Sequence, residues 1–122
     1  MQNRTNRPSP DDVQRHIPLR AVAFAVLATL ADGPRPGIDI LDGVNGTVPR
    51  RRLLGPGTLY RLMRELRGQG LIARTARAAG VSDERQAYHA LTPLGQAVLR
   101  AEVARLERTI KLATALPSSA GR

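Results

Sequence analysis

Cysteine is absent from the 122 residues, which excludes disulfides and thiolate metal sites. A chain of this length makes one compact domain and buries a core without such staples. Tryptophan is also missing, and there are one phenylalanine and two tyrosines, so aromatic surfaces for planar ligands are scarce. Histidine occurs only at His16 and His89, far apart and without clustered carboxylates. His89 reads as a surface or strand residue. The glycines around Gly55 and Gly57 lack the lysine of a nucleotide-binding Walker loop. The inventory therefore speaks against an enzyme, and no cofactor or metal is expected. No run reaches the ~18 apolar residues of a membrane span; the longest apolar-leaning stretch, Leu19 to Ala31, is shorter and carries Arg20. No apolar signal core follows the first basic residues, so a cytoplasmic location is expected and a membrane partner is not.

Charge is what the chain has in excess. Nineteen basic residues face ten acidic ones, a formal net charge of +9, and Lys111 is the one lysine. The placement is uneven. Arg50, Arg51, Arg52, Arg61, Arg64, Arg67, Arg74 and Arg77 lie in a stretch whose sole acid is Glu65. Such an excess is the electrostatic footprint of a phosphate-binding face. A solvated basic surface is the alternative at this point.

The pattern along the chain is mainly α with a small β-hairpin. Residues 1–16 read as a flexible arm. A first helix is predicted from near Pro18, with Leu19, Val22, Ala23, Val26, Leu27 and Leu30 at helical spacing, stopped by Asp32-Gly33-Pro34. A short second helix runs from Pro36 to Val44, with Ile40, Leu41 and Val44 inward and Asn45-Gly46 ending it. A third opens at Gly55-Pro56-Gly57-Thr58 and closes at Gly68-Gln69-Gly70. Its Leu59, Leu62, Met63 and Leu66 recur at i, i+3, i+4 and i+7, and Tyr60, Arg61 and Arg64 fall opposite them. Two strands follow, Leu71–Thr75 and Arg85–Leu91, joined by a turn-rich stretch. Three helices and a hairpin, in that order, make a winged helix-turn-helix over residues 17–91. Thr92-Pro93 then starts a last helix, residues 92–116, by an N-cap and a first-turn proline. Along it Leu99, Val103, Leu106, Ile110 and Ala113 form a coiled-coil-like seam, expected to bind a second copy of the chain. Residues 117–122 read as a flexible tail.

Three sets of residues resemble PadR-type regulators. Leu54-Gly55-Pro56-Gly57-Thr58-Leu59-Tyr60-Arg61-Leu62, with Leu66 and Gly70-Leu71-Ile72, is similar to the family's recognition-helix signature. Ala31-Asp32-Gly33-Pro34 resembles its junction between the first two helices. Tyr88 with Leu91-Thr92-Pro93-Leu94-Gly95 resembles its second wing strand and the start of its C-terminal helix. The likeness spans roughly Leu19 to Ala113, with Pro36-Gly37-Ile38 where many members carry histidine, glycine and an aromatic residue. It implies a homodimeric transcription regulator, with the last helix as dimerisation helix, binding double-stranded DNA at an inverted repeat. It also implies a repressor released by a small-molecule effector, whose pocket would lie between the first and last helices at the dimer interface, with Phe24 among its lining residues. The other reading is a winged helix that docks protein and leaves DNA alone.

Each candidate carries a plainer role beside the DNA one. Gly57 and Thr58 offer first-turn amides to a phosphate oxygen, or simply cap the helix. Tyr60 is expected to give its hydroxyl to a phosphate; its plain role is packing under the wing. Arg61 and Arg64 are expected at base edges or neighbouring phosphates. Arg50, Arg51 and Arg52 are expected on the DNA backbone as a charge cluster. Arg74, Arg77 and Arg85 belong to the wing, where a cation can enter the minor groove.

Overall fold

The computed structural model describes residues 7–75 and 83–117. Within residues 1–16, expected as a flexible arm, the structure instead forms a short helix, α1, at Pro10–Gln14. Its start is a capping box: Ser9 Oγ accepts from the Asp12 amide at 3.1 Å, and Asp12 Oδ2 accepts from the Ser9 amide at 3.2 Å. Five residues cannot hold a helix alone. Buried Val13 and packing against the last helix do so here.

Helix α2 is Ala21–Thr29, three residues later than proline placement predicts. Arg20 is still extended, and the Leu19 amide donates to Glu102 Oε2 at 2.9 Å instead of to a helical turn. Ala23, Ala25, Val26 and Leu27 are buried, so α2 is the central rod of the core. Gly33, at φ +142°, turns the chain into Arg35–Pro36. This two-residue strand, β1, was not anticipated. It pairs antiparallel with β3 (Tyr88–Leu91), which pairs in turn with β2 (Ile72–Arg74). The expected hairpin is therefore part of a three-stranded sheet ordered β1-β3-β2. Arg35 braces the turn, its Nε donating to the Thr29 carbonyl and its Nη2 to Asp32, both at 2.9 Å.

Helix α3 is Gly37–Asn45, with Ile40 and Val44 buried. Its first amides bond to the wing segment, Gly37 N–H to the Ala87 carbonyl at 3.2 Å and Ile38 N–H to the Arg85 carbonyl at 2.9 Å. A Cβ at position 37 would collide with the Glu84 carbonyl oxygen. Glycine is thus what lets the wing base sit on the α3 N-terminus. Helix α4 is Pro56–Gly68 and buries Leu59, Leu62, Met63 and Leu66, the four residues its periodicity selects. Helix α5 is Pro93–Ala113. Thr92 Oγ1 accepts from the Gly95 amide at 2.9 Å and donates to the Gly70 carbonyl at 2.5 Å. Leu27, Ile40, Leu59, Met63, Leu66, Leu71, Ile72 and Val98 make the centre of one core.

Candidate nucleic-acid interface

Helix α4 presents three faces. At about 100° per residue, Gly57, Arg61, Arg64 and Gly68 lie opposite the buried stripe, and all four are exposed. Thr58 and Glu65 flank them towards the start of α2, where Arg20 reaches Glu65 at 3.4 Å across solvent. An exposed pair of that length contributes little to stability. Tyr60 and Arg67 lie on the other flank, towards the wing. Among the described residues no side chain caps the α4 N-terminus, so its first-turn amides, Gly57 and Thr58 among them, are open to an outside acceptor.

Ahead of α4, Arg50–Arg52 form one turn of 3-10 helix with all three side chains exposed. The Asn45 side chain secures this connection at two points. Its Oδ1 accepts from the Leu54 amide at 2.8 Å, and its Nδ2 donates to the Leu54 carbonyl at 3.1 Å. The arginine triplet and α4's exposed arginines are thus tied to the end of α3, and Arg85 is exposed at the wing base. Arg77 lies outside the described residues.

Tyr60 departs from expectation. Its hydroxyl is buried without a hydrogen-bond partner among the described residues, and its ring sits near Gly37. The cause is angular, since residue 60 falls beside the apolar stripe rather than opposite it. Burial raises the pKa of the phenol above its ordinary value. The hydroxyl is not offered to a phosphate in this conformation.

Arg74 departs as well, by joining a cluster that sequence reasoning missed. Glu84, 14% exposed at its side chain, accepts from Arg67 Nη1 at 3.2 Å, Arg67 Nη2 at 3.0 Å and Arg74 Nη2 at 3.2 Å. His89 lies fully buried behind them. Its Nδ1 is 3.1 Å from the Ala87 carbonyl and its Nε2 is 2.9 Å from Arg67 Nη1. An acceptor at one nitrogen and a donor at the other assign the neutral Nδ1–H tautomer. Burial would push the Glu84 carboxyl up, but the Arg67 and then Arg74 hydrogen bonds outweigh it and hold the pKa below the ordinary range.

For His89, burial is the largest influence and lowers the pKa, with the Glu84 carboxylate opposing it in part. The unfolded chain therefore takes up a proton that the folded chain resists. The contribution is fully present above the ordinary histidine range and is lost as pH falls through it. The urea midpoint should accordingly drop between about pH 7.5 and pH 5.5. In His89→Gln it should start lower and change less across that window; an unaltered slope would clear His89 of the effect.

A fully buried acid, Glu102 on α5, accepts from Arg105 Nε at 2.7 Å, Arg105 Nη2 at 3.0 Å and the Leu19 amide. Its i,i+3 spacing from Arg105 was the one sequence signal for it. Of the five seam residues, Leu99 is buried in the chain's own core at 9% exposure, because the first turns of α5 still lie on the domain. Leu106 is half-buried. Val103 at 37% and Ile110 at 60% are exposed, as is Ala113.

Three packed helices, the third with an exposed cationic face, and the three-stranded antiparallel sheet beside them make a winged-helix fold. The chain belongs to the transcriptional regulator PadR-like family, whose model matches residues 26–101. It is a transcription factor rather than an enzyme. Solved structures of similar fold include a MarR-family transcriptional regulator of Silicibacter pomeroyi, 23% identical, at a TM-score of 0.59 over 87% of this chain and 68% of that one. Another is Bordetella bronchiseptica BpsR, whose DNA binding is regulated by 6-hydroxynicotinic acid; it is 22% identical, at 0.62 over 90% and 74%. A transcriptional regulator of Clostridium thermocellum is 20% identical, at 0.60 over 91% and 99%. No curated protein matches the sequence. Among the described residues, no helix is long and apolar enough to cross a membrane.

Proposed function

We propose that the chain is a homodimeric, sequence-specific repressor that binds an inverted-repeat operator through α4. The observation that carries this is the exposed pair Arg61 and Arg64, one helical turn apart on a face whose opposite side is fully committed to the core. In the major groove this face reads base edges. Arg50, Arg51 and Arg52, the open amides of Gly57 and Thr58, and the wing's Arg85 grip phosphates. The apolar surface at Val103, Leu106, Ile110 and Ala113 supports pairing with a second copy. Beside it lies a hollow of about 670 Å³ lined by Leu30, Leu91, Leu99 and Val103 together with Gln96, Arg100 and Glu107.

An effector site is proposed between α2 and α5. A cavity of about 490 Å³ there is lined by Leu19, Val22, Phe24, Glu102, Arg105 and Leu106 among others, a size and apolarity suited to a small organic molecule. BpsR, whose fold is similar, is a protein whose DNA binding a small aromatic acid regulates.

The decisive experiment selects an operator from random DNA and measures affinity for it and for random DNA over a salt series. Arg64→Ala should cost about 1–3 kcal/mol on the operator and relax one position. Arg51→Ala should weaken both DNAs alike and reduce the salt slope by about one for each phosphate no longer neutralised. Equal losses on both DNAs for Arg64→Ala would remove it from base reading. Binding without salt dependence would favour the protein-docking alternative.

A further inference from the structure

The acid at the base of the wing is out of keeping with its surroundings. Between α4 and the sheet, where a phosphate strand would pass from the recognition helix to the wing, Glu84 sits with three N–H groups from two guanidiniums on its oxygens. Arg67 belongs to α4, Arg74 to β2, and Glu84 to the segment entering β3. The carboxylate occupies, within the protein, the place a phosphate would take between two arginines. The neighbouring acid, Asp83, is exposed and turned to the backbone amide of Arg85. Behind the cluster, the Nε2 of His89 faces Arg67 and Glu84 at 2.9 and 3.4 Å, so the Arg67 guanidinium is held on two sides. Arg67 and Arg74 keep 24% and 32% of their side-chain surface exposed. Both side chains thus come to the surface between the recognition helix and the wing base.

We propose that Glu84 is a positioning residue that limits overall DNA affinity: it withholds the Arg67 and Arg74 charges from DNA phosphates and fixes the wing against the recognition helix. The inference rests on α4 and the wing facing DNA. Two more guanidiniums on the phosphate backbone would raise affinity for every sequence by the same factor and steepen its salt dependence, leaving the ratio between operator and random DNA unchanged. A single carboxylate suppresses that uniform term. By bridging α4, β2 and the wing base, it also fixes the angle at which two DNA-contacting elements meet.

The test is Glu84→Gln, which keeps the shape and removes the charge. Random-sequence DNA should bind severalfold more tightly at low salt, with a salt slope steeper by about one per subunit for each arginine released. Operator DNA should gain in the same proportion, leaving the operator-to-random ratio near its wild-type value. Glu84→Asp keeps the charge and should keep the wild-type slope. A merely structural carboxylate would lower the unfolding temperature and weaken both DNAs together, and that result overturns the proposal. Arg67→Gln gives a check that does not depend on the Glu84 variants folding. A withheld Arg67 leaves the random-DNA slope unchanged, whereas a slope shallower by one per subunit shows it already on phosphate and overturns the idea. Failure of the underlying reading looks different, since Arg61→Ala and Arg64→Ala would then leave wild-type binding of both DNAs intact.

Discussion

Ile110→Glu is expected to leave a folded monomer and to lower operator affinity roughly 10²–10⁴-fold, the gain that linking two half-site contacts confers. The side chain is 60% exposed in the single chain, so the charge costs the fold little. In a two-fold pair the same position recurs across the seam, and each glutamate would be buried without a partner charge. This makes Ile110 a cleaner probe than half-buried Leu106, which also lines the α2–α5 cavity and whose loss would disturb the subunit itself. Light scattering gives the mass, and circular dichroism confirms that helicity survives. A dimer mass retained at micromolar concentration would move the interface elsewhere on the molecule.

Gly95→Ala should be the most damaging small change to stability. Gly95 is buried in the first turn of α5, and a Cβ there would run into the carbonyl oxygen of Leu71. That carbonyl belongs to backbone, already accepting the Thr92 amide at 3.1 Å, and cannot rotate aside as a side chain would. The α5 N-terminus must therefore lift from the α4–β2 turn, loosening the Thr92 cap as it goes. Overpacking and a weakened cap together should cost about 3 kcal/mol, lowering the unfolding temperature by on the order of 10 °C. A thermal melt within two or three degrees of wild type would show that the approach is less tight than the geometry implies. Alanine at the open position Gly57, by contrast, meets nothing within 4 Å and should leave the melt nearly unchanged.

The features legible in the sequence are those with a local, periodic cause. The apolar spacing of 59, 62, 63 and 66 placed α4 and its buried face. Thr92-Pro93 marked the start of α5, and Asn45-Gly46 the end of α3. What was missed is tertiary. A two-residue β1 has no pattern of its own and exists because β3 pairs with it. Pro10–Gln14 carried a capping box, yet so short a helix persists only where Val13 finds the core. The Glu84 cluster joins residues 17 and 10 positions apart in sequence, so counting arginines could not show that Arg67 and Arg74 are tied to a carboxylate. Tyr60 shows the limit of a helical wheel: a residue on the flank goes wherever the neighbouring element, here the wing, leaves room. Leu99 continues the seam in sequence but faces the domain in space.

The continuity of α5 carries a mechanical consequence. Its 21 residues run unbroken, about 30 Å, from inside the domain to the bare seam, and Glu102 pins its third turn to the chain leading into α2. Domain and rod must therefore turn as one body, with no joint between them. In the proposed pair, two such rods would cross like the blades of scissors. The separation of the two α4 helices then depends on the crossing angle alone. A molecule lodged beside Leu106 would sit near the pivot, where a small rotation swings both tips out of step with the pitch of the double helix.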